Sequence, residues 1–415
     1  MSQPPDLIPH LFRTEFRKLV SVLTRHFGLG HIETAEDLVS DTFLLAAETW
    51  GLKGIPANPT AWLYTVAKNK TKDYLKRNQV FTQKITAELR QAGNEGGEME
   101  VDLSEENISD SQLQMMFAIC HPSIPAEAQI GLSLRILCGF GIDEIADAFL
   151  SNKETINKRL FRAKEKLRES QVSMEFPPAA ELPGRLQAVL TTLYLLFNEG
   201  YYSASQHAVL RKDLCLEALR LTYLLAGYEK TAQPSVYALI ALMCFHASRF
   251  EARINHEGQA ILYGEQDTTR WDHELIQIGE AYLNRSAVGD TLTKFHLEAA
   301  IAYWHTQPED NPDKWPQILQ LYNVLLQVAY SPAAALNRTF ALAKADSYAK
   351  AITEALKLKL ENNHLYFALL GELYSPSDPD QASRYFTLAL DKAKTEQDKV
   401  LLARKRQSLR EREGS

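Results

Sequence analysis

Basic side chains recur along one side of a predicted helix, Thr60–Asn78, in an arrangement that could bind a nucleic-acid backbone. Lys68, Lys72 and Lys76 follow one another at four-residue intervals, so a helix places them in one ridge with no acid between them. Positive charge concentrated in this way favours contact with phosphates. The polar and aromatic neighbours of the ridge are Trp62, Asn69 and Arg77.

The residues Gly51–Pro59, which precede this helix, form a predicted loop. Its glycines permit close approach of a ligand, and its polar side chains include Lys53 and Asn58. On its own the loop is a weak signal. Trp62, just inside the helix, could stack on a base or simply pack against its neighbours.

A second basic segment has the pattern of a helix-turn-helix. A short helix begins at Ile142, a break follows at Leu150–Asn152 with Ser151 as the predicted N-cap, and a second helix continues towards Ser170. Seven basic and three acidic residues between Ser151 and Ser170 give a net charge of +4. An unrelated helical hairpin with a charged face would look similar, but the turn length and the concentrated charge favour DNA binding. The predicted inward stripe consists of Ile156, Leu160, Ala163 and Leu167, and the outward face includes Thr155, Lys158, Phe161 and Arg162.

The helix predicted for Glu33–Trp50 carries acids on the face opposite its apolar residues. At about 100° per residue, four side chains fall together on that face. They form either a solvated acidic stripe or a docking surface for a basic partner, and composition alone favours the first interpretation. These side chains are Asp37, Asp41, Leu44 and Glu48.

The composition of the whole chain is that of an ordinary globular protein. Its 415 residues are 45% hydrophobic and 23% charged with a net charge of −7, so the basic segments are local exceptions. No apolar run is long enough to span a bilayer and the N-terminus lacks a signal pattern, so we expect a cytoplasmic protein. The four cysteines lie singly within apolar helical patterns, which predicts reduced, buried thiols. Cys120-His121 lacks a second ligand pair, so we expect no metal site.

The order of apolar and polar segments predicts an all-α protein with three units. Three- and four-residue apolar spacing recurs throughout, and strand signals are nearly absent. An acid-rich stretch at 86–110 predicts a flexible linker, and consecutive prolines at 177 and 178 predict a domain boundary. We therefore expect a helical bundle at 5–85, a helix-turn-helix unit at 111–171 and a further helical domain at 180–413.

The third unit gives fewer chemical signals. Gly371, Ala382 and Phe386 follow tetratricopeptide spacing, which predicts helical repeats with a groove for a protein or peptide. The spacing supplies no nucleophile with a base and no metal cluster, so we expect no catalysis and no cofactor. Certain polar and aromatic residues either form a site or link helices in the core, and the second interpretation is favoured. They are Asn198, Glu199, Tyr201, Arg211, Asp213, Asp267, Arg270, Trp271 and His296.

Two blocks of the chain resemble one family in the same order. The stretch AEDLVSDTFLLAAETW, followed by NPTAWLYTVAKNKTKDYLKRN, resembles region 2 of extracytoplasmic-function sigma factors. Region 4 of that family is similar to EIADAFLSNKETINKRLFRAKEKLRE. The appended helical domain of long members resembles LPGRLQAVLTTLYLLFNEGYYSAS, GEQDTTRWDHELI and AALNRTFALA. The resemblance implies core RNA polymerase and promoter DNA as partners.

The resemblance also implies roles for individual residues. Asp37, Asp41, Leu44 and Glu48 would dock on the clamp helices of the polymerase. The unpaired −10 strand would be captured by the loop at 53–58 and the helix after it, through Lys53, Asn58, Trp62, Lys68, Asn69, Lys72, Lys76 and Arg77. The −35 duplex would meet Thr155, Lys158, Arg159 and Arg162. Ser40 and the Asn152–Thr155 entry to the recognition helix depart from the family pattern, which leaves the promoter sequence open.

We therefore expect a sigma factor that recruits core polymerase to promoters, with a C-terminal domain that regulates it in cis. That domain would have an intramolecular or protein partner. The alternative is a helix-turn-helix regulator that binds DNA without polymerase and uses its repeats as an interaction module. The acidic stripe discriminates between the two, because only the first interpretation requires it.

Overall fold

The computed structural model describes residues 4–86, 101–149, 151–201, 212–253, 261, 263–307 and 311–413. Every regular element within those ranges is helical, which confirms the predicted all-α fold. The chain divides into two compact units, the first unit at residues 1–196 and the second unit at residues 197–415. The predicted bundle and the predicted helix-turn-helix both lie in the first unit.

The described part of the first unit contains seven complete helices and the beginning of an eighth. They are α1 (Pro4–Phe27), α2 (Ile32–Lys53), α3 (Pro59–Thr86), α4 (Glu105–Ile119), α5 (Ala126–Leu132), α6 (Ile142–Ala148), α7 (Lys153–Glu169) and α8 (Leu182–Tyr201). A 3₁₀ turn lies at Leu29–His31 and a π-helical turn at Ser133–Leu137. The predicted helices Glu33–Trp50 and Thr60–Asn78 fall inside α2 and α3.

Helix α1 is central to the first unit. Its side chains Phe16, Leu19, Val20 and Leu23 are buried, and the helix packs against both α2 and α4. Burial of such side chains stabilises the folded state by roughly 1.5–3 kcal/mol each. Helix α1, which belongs to the predicted bundle, and helix α4, which leads into the helix-turn-helix, therefore share one core.

Polar contacts accompany this shared core. The Arg25 guanidinium donates to Asn107 Oδ1 at 2.9 Å and forms an ion pair with Asp110 at 2.7 Å. At the other end of α1, Arg13 pairs with Glu144 of α6 at 2.8 Å. The contacts join residues that are far apart in the chain, so the two predicted regions form one compact unit in this structure.

The helix-turn-helix consists of α6 and α7. Asn152 is the N-cap of α7, because its Oδ1 accepts a hydrogen bond from the Thr155 backbone N–H at 2.8 Å. The prediction of Ser151 was wrong by one residue, since Asn152 is the residue in extended conformation immediately before the helix. The predicted inward stripe of α7 is buried, which is confirmed for Ile156, Leu160, Ala163 and Leu167.

Part of the predicted acidic linker is described, at residues 101–110. Val101 is buried, and the Ser104 side chain accepts a hydrogen bond from the Asn107 N–H to begin α4. Residues 105–110 lie in α4, where Asp110 pairs with Arg25. Residues 87–100 of the predicted linker lie outside the described residues.

Ten helices follow in the described part of the second unit. They are α9 (Lys212–Ala226), α10 (Pro234–Ala247), α11 (His273–Ser286), α12 (Lys294–Trp304), α13 (Lys314–Val328), α14 (Pro332–Ala345), α15 (Tyr348–Leu358), α16 (His364–Tyr374), α17 (Pro379–Lys392) and α18 (Glu396–Glu413). Helix α10 is apolar on all sides and nearly every side chain from Val236 to Ala247 is buried, so it forms the centre around which α9, α11 and α12 pack.

The last helices of the second unit pack as the tetratricopeptide spacing predicts. Gly371 of α16 lies so close to α17 that an added Cβ would be 2.8 Å from the Phe386 ring. Ala382 and Phe386 are buried in the same apolar cluster. A glycine and an alanine therefore allow the two helices to approach around one aromatic ring.

The cysteines agree with their predicted state. Cys120, Cys138, Cys215 and Cys244 are all buried and free. Burial raises the pKa of Cys120 and of Cys244 to about 11, so both thiols stay protonated near neutral pH. His121, beside Cys120, lies 2.8 Å from Ser123 Oγ through Nδ1, and the described residues contain no group of side chains that could hold a metal ion. No helix in the described ranges is both long and apolar enough to cross a membrane.

Candidate functional site

The acidic face of α2 is exposed along its length. Asp37, Asp41 and Glu48 are exposed, and 59% of Leu44 is accessible to solvent. The opposite face, with Ala35, Val39, Ala46 and Trp50, is buried against the rest of the unit. The nearest described cation is Lys70, whose Nζ is 3.9 Å from Asp41 Oδ2, a loose pair. The stripe therefore presents negative charge and an apolar side chain together on an accessible surface.

The loop before α3 is shaped by a glycine and a cap. Gly54 has a φ of +84°, which L-side chains rarely adopt, and it ends α2. Asn58 Oδ1 accepts a hydrogen bond from the Ala61 N–H at 3.0 Å, so this side chain starts α3. Lys53 and Asn58 are both exposed beside this turn. Gly54 and the Asn58 cap therefore define the backbone of the loop, and its polar side chains remain exposed to solvent.

The basic ridge lies on one accessible side of α3. Asn69, Lys76 and Arg77 are exposed, and Lys68 and Lys72 are half-buried. Long lysine side chains can lie along apolar surface while the ammonium group remains in water, so half-burial is compatible with phosphate contact. The ridge predicted from spacing is therefore present as a surface.

Trp62 packs while keeping part of its surface accessible. Its ring meets Trp50 edge-on with the centroids 5.3 Å apart, and it is half-buried. This contact fixes the indole orientation through a residue of α2. The ring therefore packs on one side and remains partly accessible on another, and stacking on a base stays a prediction.

A groove runs beside the ridge, between α3 and the described end of the acidic linker. It has a volume of about 420 Å³ and is lined by Tyr64, Thr65, Lys68, Val101, Asp102 and Leu103. Tyr64 donates a hydrogen bond to Glu15 Oε2 at 2.6 Å, and burial raises the pKa of this phenol, as does that carboxylate. The acidic linker therefore reaches the edge of the predicted −10 surface.

The outward face of α7 is exposed where DNA contact is predicted. Thr155, Lys158 and Arg162 are exposed in the first turns. Lys158 pairs with Glu154 at 2.6 Å, an exposed pair that water screens well. Arg159 is half-buried, 3.5 Å from Glu127 Oε2 and over the Phe149 ring. The predicted −35 residues thus share a face, with Arg159 at its edge.

The other side of α7 turns its basic residues towards α2. Glu36 is only 7% exposed, and its two carboxylate oxygens accept from the Arg135 guanidinium at 3.0 Å and from the Lys164 ammonium group. Arg168 donates to the Gly30 backbone carbonyl at 3.2 Å. Sequence reasoning missed Glu36. The available signal was its position beside Ala35 and Val39, an acid next to the apolar stripe of a helix.

The candidate residues in the C-terminal domain occupy several places. Asp267 and Arg270 are exposed at a 3₁₀ turn, where the Thr269 hydroxyl donates to Asp267 at 2.6 Å and the Thr269 N–H donates at 3.0 Å, and these hydrogen bonds lower the pKa of Asp267. His296 Nδ1 lies 2.8 Å from Thr293 Oγ1 in the cap of α12, which gives it a structural role. Asn198, Glu199 and Asp213 are half-buried, and Arg211 lies outside the described residues.

Tyr201 and Trp271 do come together, through a residue that sequence reasoning missed. Arg249 donates to the Tyr201 hydroxyl at 3.3 Å and lies 6.0 Å from the Trp271 ring centroid. Nothing in the local sequence around Arg249 indicates a buried position, because an arginine after a helix end is usually solvated.

Two family models match the chain. One, for sigma-70 region 2, matches residues 11–80, and the other, a family of unknown function (DUF6596), matches residues 185–287. Among curated proteins, an uncharacterized protein of Rhizobium meliloti is 31% identical over 359 residues, covering 85% of this chain and 84% of the relative. The ECF RNA polymerase sigma-E factors of Haemophilus influenzae and Escherichia coli are 29% and 28% identical over 153 residues, covering 36% of this chain and 78% of each relative. No solved structure matches.

These matches and the geometry of the first unit define the class of protein. The chain belongs to the extracytoplasmic-function RNA polymerase sigma factors. Its length and its match at residues 185–287 fit the long subfamily, whose members carry a C-terminal helical tetratricopeptide-like domain.

The buried Glu36 carboxylate leads to a stability prediction. Replacing Glu36 with Gln leaves Arg135 and Lys164 as neighbouring cations without their counterion, which we expect to cost about 3 kcal/mol. Hydrogen–deuterium exchange read by mass spectrometry should show the slowest amides of α1 and α2 exchanging about a hundredfold faster. The matched control is Asp143→Asn, which breaks an exposed pair with Lys153 and should cost less than about 1 kcal/mol. Equal protection in wild type and Glu36→Gln would contradict the importance of this contact.

Proposed function

We propose that the protein binds core RNA polymerase, directs it to promoters with −35 and −10 elements, and helps to melt the −10 duplex. The observation that carries the proposal is the agreement between the region 2 match at residues 11–80 and two accessible charged surfaces inside it. One surface is the acidic stripe of α2 and the other is the basic ridge of α3. The protein works in the cytoplasm, where its partners are located, and catalyses no reaction itself.

Polymerase docking is assigned to the α2 stripe. Asp37, Asp41 and Glu48 supply negative charge for a basic partner, and exposed Leu44 supplies an apolar contact. Charge complementarity of this kind directs association and fixes its orientation, while the apolar side chain adds affinity.

Capture of the −10 strand is assigned to the loop and ridge of α3. Lys68, Lys72 and Lys76 would hold phosphates, while Trp62 and Asn69 would meet bases that have left the stack. Lys53, Asn58 and Arg77 extend the same surface at its two ends. A melted strand suits this surface because phosphate contacts and ring stacking do not require a groove.

Binding to the −35 duplex is assigned to the first turns of α7. Thr155, Lys158, Arg159 and Arg162 lie on the side of α7 that faces away from α2, near the N-terminus of the helix. A recognition helix enters the major groove with this end. The ion pair between Lys158 and Glu154 is exposed, so a phosphate can readily replace Glu154 as the partner of Lys158.

The compact first unit must open to contact both elements at once. A unit of 196 residues is roughly 45 Å across, whereas elements centred about 25 base pairs apart are separated by about 85 Å of B-DNA. The Glu36 ion pairs and the α1–α4 packing oppose this opening. The α2 stripe is exposed while those contacts are made, so polymerase can dock first and compensate for the cost of separation.

Regulation in cis is assigned to the C-terminal domain. Fusion makes any contact between that domain and the sigma regions intramolecular, with an effective concentration that a separate protein would rarely reach. The tetratricopeptide-like packing of Gly371 and Phe386 provides a rigid scaffold of the kind that binds peptides and proteins.

Reversing the α2 stripe tests polymerase docking. Asp37→Lys combined with Asp41→Lys should abolish retention of the protein on immobilised core polymerase, because like charges would then face each other. Asp73→Lys makes the same change at an exposed acid of α3 outside the stripe and should leave retention intact. Undiminished binding by the double variant would favour the alternative, a helix-turn-helix regulator that acts without polymerase.

Removing ridge lysines tests phosphate contact. In preassembled holoenzyme, Lys72→Ala and Lys76→Ala should each reduce the slope of log affinity against log salt by close to one unit. The reduction should be about 0.9 on duplex probes and about 0.7 on a single-stranded −10 probe. Lys70→Ala, on a different side of α3 and near Asp41, is the control and should leave the slope unchanged. An unchanged slope for Lys72 and Lys76 would place phosphates elsewhere.

Truncation tests regulation in cis. The first part of α8 belongs to the first unit, where Arg185 donates to the Phe117 carbonyl at 2.6 Å and Thr192 donates to Gln129 at 2.8 Å. The truncated protein should therefore end after Leu196 and not at residue 180. Run-off transcription by residues 1–196 should differ from that of the full chain by several-fold. Equal transcription and equal polymerase affinity would exclude regulation in cis.

A further inference from the structure

The second unit contains a buried arginine that has no counterion among the residues that the structure describes. Arg249 follows α10 and is 8% exposed. Its Nη2 donates to the Tyr201 hydroxyl at 3.3 Å, and its Nε has no hydrogen-bond partner. None of the carboxylates in the described ranges forms an ion pair with it. Arginine cannot lose its proton at neutral pH, so the charge stays in place.

The nearby acid Asp272 is engaged in another contact. Asp272 approaches through the backbone, since its N–H donates to the Ser248 carbonyl at 2.7 Å. The Asp272 side chain, however, accepts from the Leu275 N–H at 3.0 Å and caps α11. Removal of a charge from water is costly unless an opposite charge or several hydrogen bonds replace the water. The described residues supply little of that replacement for Arg249.

Aromatic rings line the guanidinium. Its central carbon lies 5.3 Å from the Tyr263 ring centroid and 6.0 Å from that of Trp271. Cation–π contacts of this length offset only part of the desolvation cost. Tyr201 also packs on His246, with the ring centroids 4.5 Å apart. The rings form walls around the charge and provide no negative group.

Two further cations belong to the same cluster. Lys314 at the start of α13 is fully buried, and its Nζ donates to the Tyr263 hydroxyl and to the Gln307 carbonyl, each at 2.9 Å. Arg253 lies over the Tyr201 ring at 3.8 Å and is half-buried. Positive charge therefore extends from the interior at Lys314 and Arg249 to the partly accessible Arg253.

The pKa values of two histidines, His305 and His246, are lowered in the same positively charged environment. Burial, together with the positive charges of Arg249 and Lys314, lowers the pKa of His305 to about 3. Burial also holds the pKa of His246 well below its usual range, with Arg249 and Arg253 as the next causes. Both rings are neutral at physiological pH, so each can donate one hydrogen bond and accept another.

Several polar atoms in the cluster have no hydrogen-bond partner. They include Nδ1 of His246, Nδ1 of His305 and Nε1 of Trp271, in addition to Nε of Arg249. The indole and guanidinium nitrogens can only donate. Buried donors of this kind are expensive to leave unpaired, so the arrangement calls for an acceptor that carries negative charge.

We propose that this cluster of Tyr201, His246, Arg249, Arg253, Tyr263, Trp271, His305 and Lys314 is a binding site for the oxyanion group, carboxylate or phosphate, of a small molecule. Arg249 is the ion-pair partner of that group, because a planar guanidinium matches two oxygens of either anion. The Trp271 N–H and a histidine ring complete the contacts. Tyr263 and Trp271 then pack against the rest of the ligand. The site is independent of polymerase and DNA.

Thermal unfolding of the full chain tests the proposal. Inorganic phosphate and succinate, each titrated against sodium chloride at matched ionic strength, are the probes. Binding of either probe should raise the unfolding midpoint of the second unit by about 5 °C at a hundredfold excess over Kd. Phosphate alone would indicate a phosphate-bearing ligand, succinate alone a carboxylate-bearing one, and both a site selective only for oxyanions. No shift with either probe would overturn the proposal.

Two variants separate the site from a general salt effect. Arg249→Gln should abolish the shift, whereas Arg270→Gln removes an exposed charge at the nearby 3₁₀ turn and should retain it. Equal shifts in wild type and Arg249→Gln would refute the site. If Arg249→Gln does not fold, Trp271→Phe keeps an aromatic ring at this position, although a smaller one, and removes the indole donor; it should weaken probe binding about tenfold by isothermal titration calorimetry. Unchanged affinity in that variant would also count against the proposal.

Discussion

The first unit depends on one buried carboxylate. Glu36 lies on α2, and its two oxygens bind Arg135, which follows α5, and Lys164, which lies on α7. Two cations around one acid leave an excess positive charge in a region with little water, so the contact stabilises the unit only while all three groups remain in place. The apolar side chains of α1 lie at the centre of the buried core. The carboxylate determines how α7 is oriented on that core, because directional contacts select among packings that apolar area alone would allow.

The surfaces proposed for DNA and for polymerase lie on helix faces that this contact leaves exposed. Glu36 and Asp37 are neighbours on α2, yet a rotation of about 100° turns the first towards α7 and the second towards solvent. The same division occurs on α7, where Lys164 faces α2 and Arg162 faces outward. Each helix therefore combines an internal contact with an external one. The net charge of +4 counted along α7 overstates what is available to DNA, since Lys164 and Arg168 are engaged within the unit.

Helical periodicity accounts for most of what could be predicted. The buried stripe of α7 and the exposed stripe of α2 follow from three- and four-residue spacing, which needs no knowledge of distant residues. Glu36 required that knowledge, because its partners are about 100 and 128 residues further along the chain. The N-cap of α7 was misplaced by one residue because serine and asparagine are both good caps and only backbone conformation separates them.

The sequence could not show which of the C-terminal candidates lie together. As with Glu36, the contacts are made with residues that are distant in the chain. Tyr201 and Trp271 are linked by Arg249, which carries no local signal of burial.

The interior of the second unit is apolar between α16 and α17 and polar around Arg249. Between α16 and α17, Gly371 meets the Phe386 ring and the surrounding side chains are apolar, which is the expected result when a helix pair only has to pack. Around Arg249, the interior contains guanidinium, imidazole and indole groups, each with a nitrogen atom that lacks a hydrogen-bond partner. Apolar residues of similar volume would fill that space with less desolvation. A scaffold that served only to display a groove would gain nothing from such a cluster, whereas a domain that binds a small anion would require it.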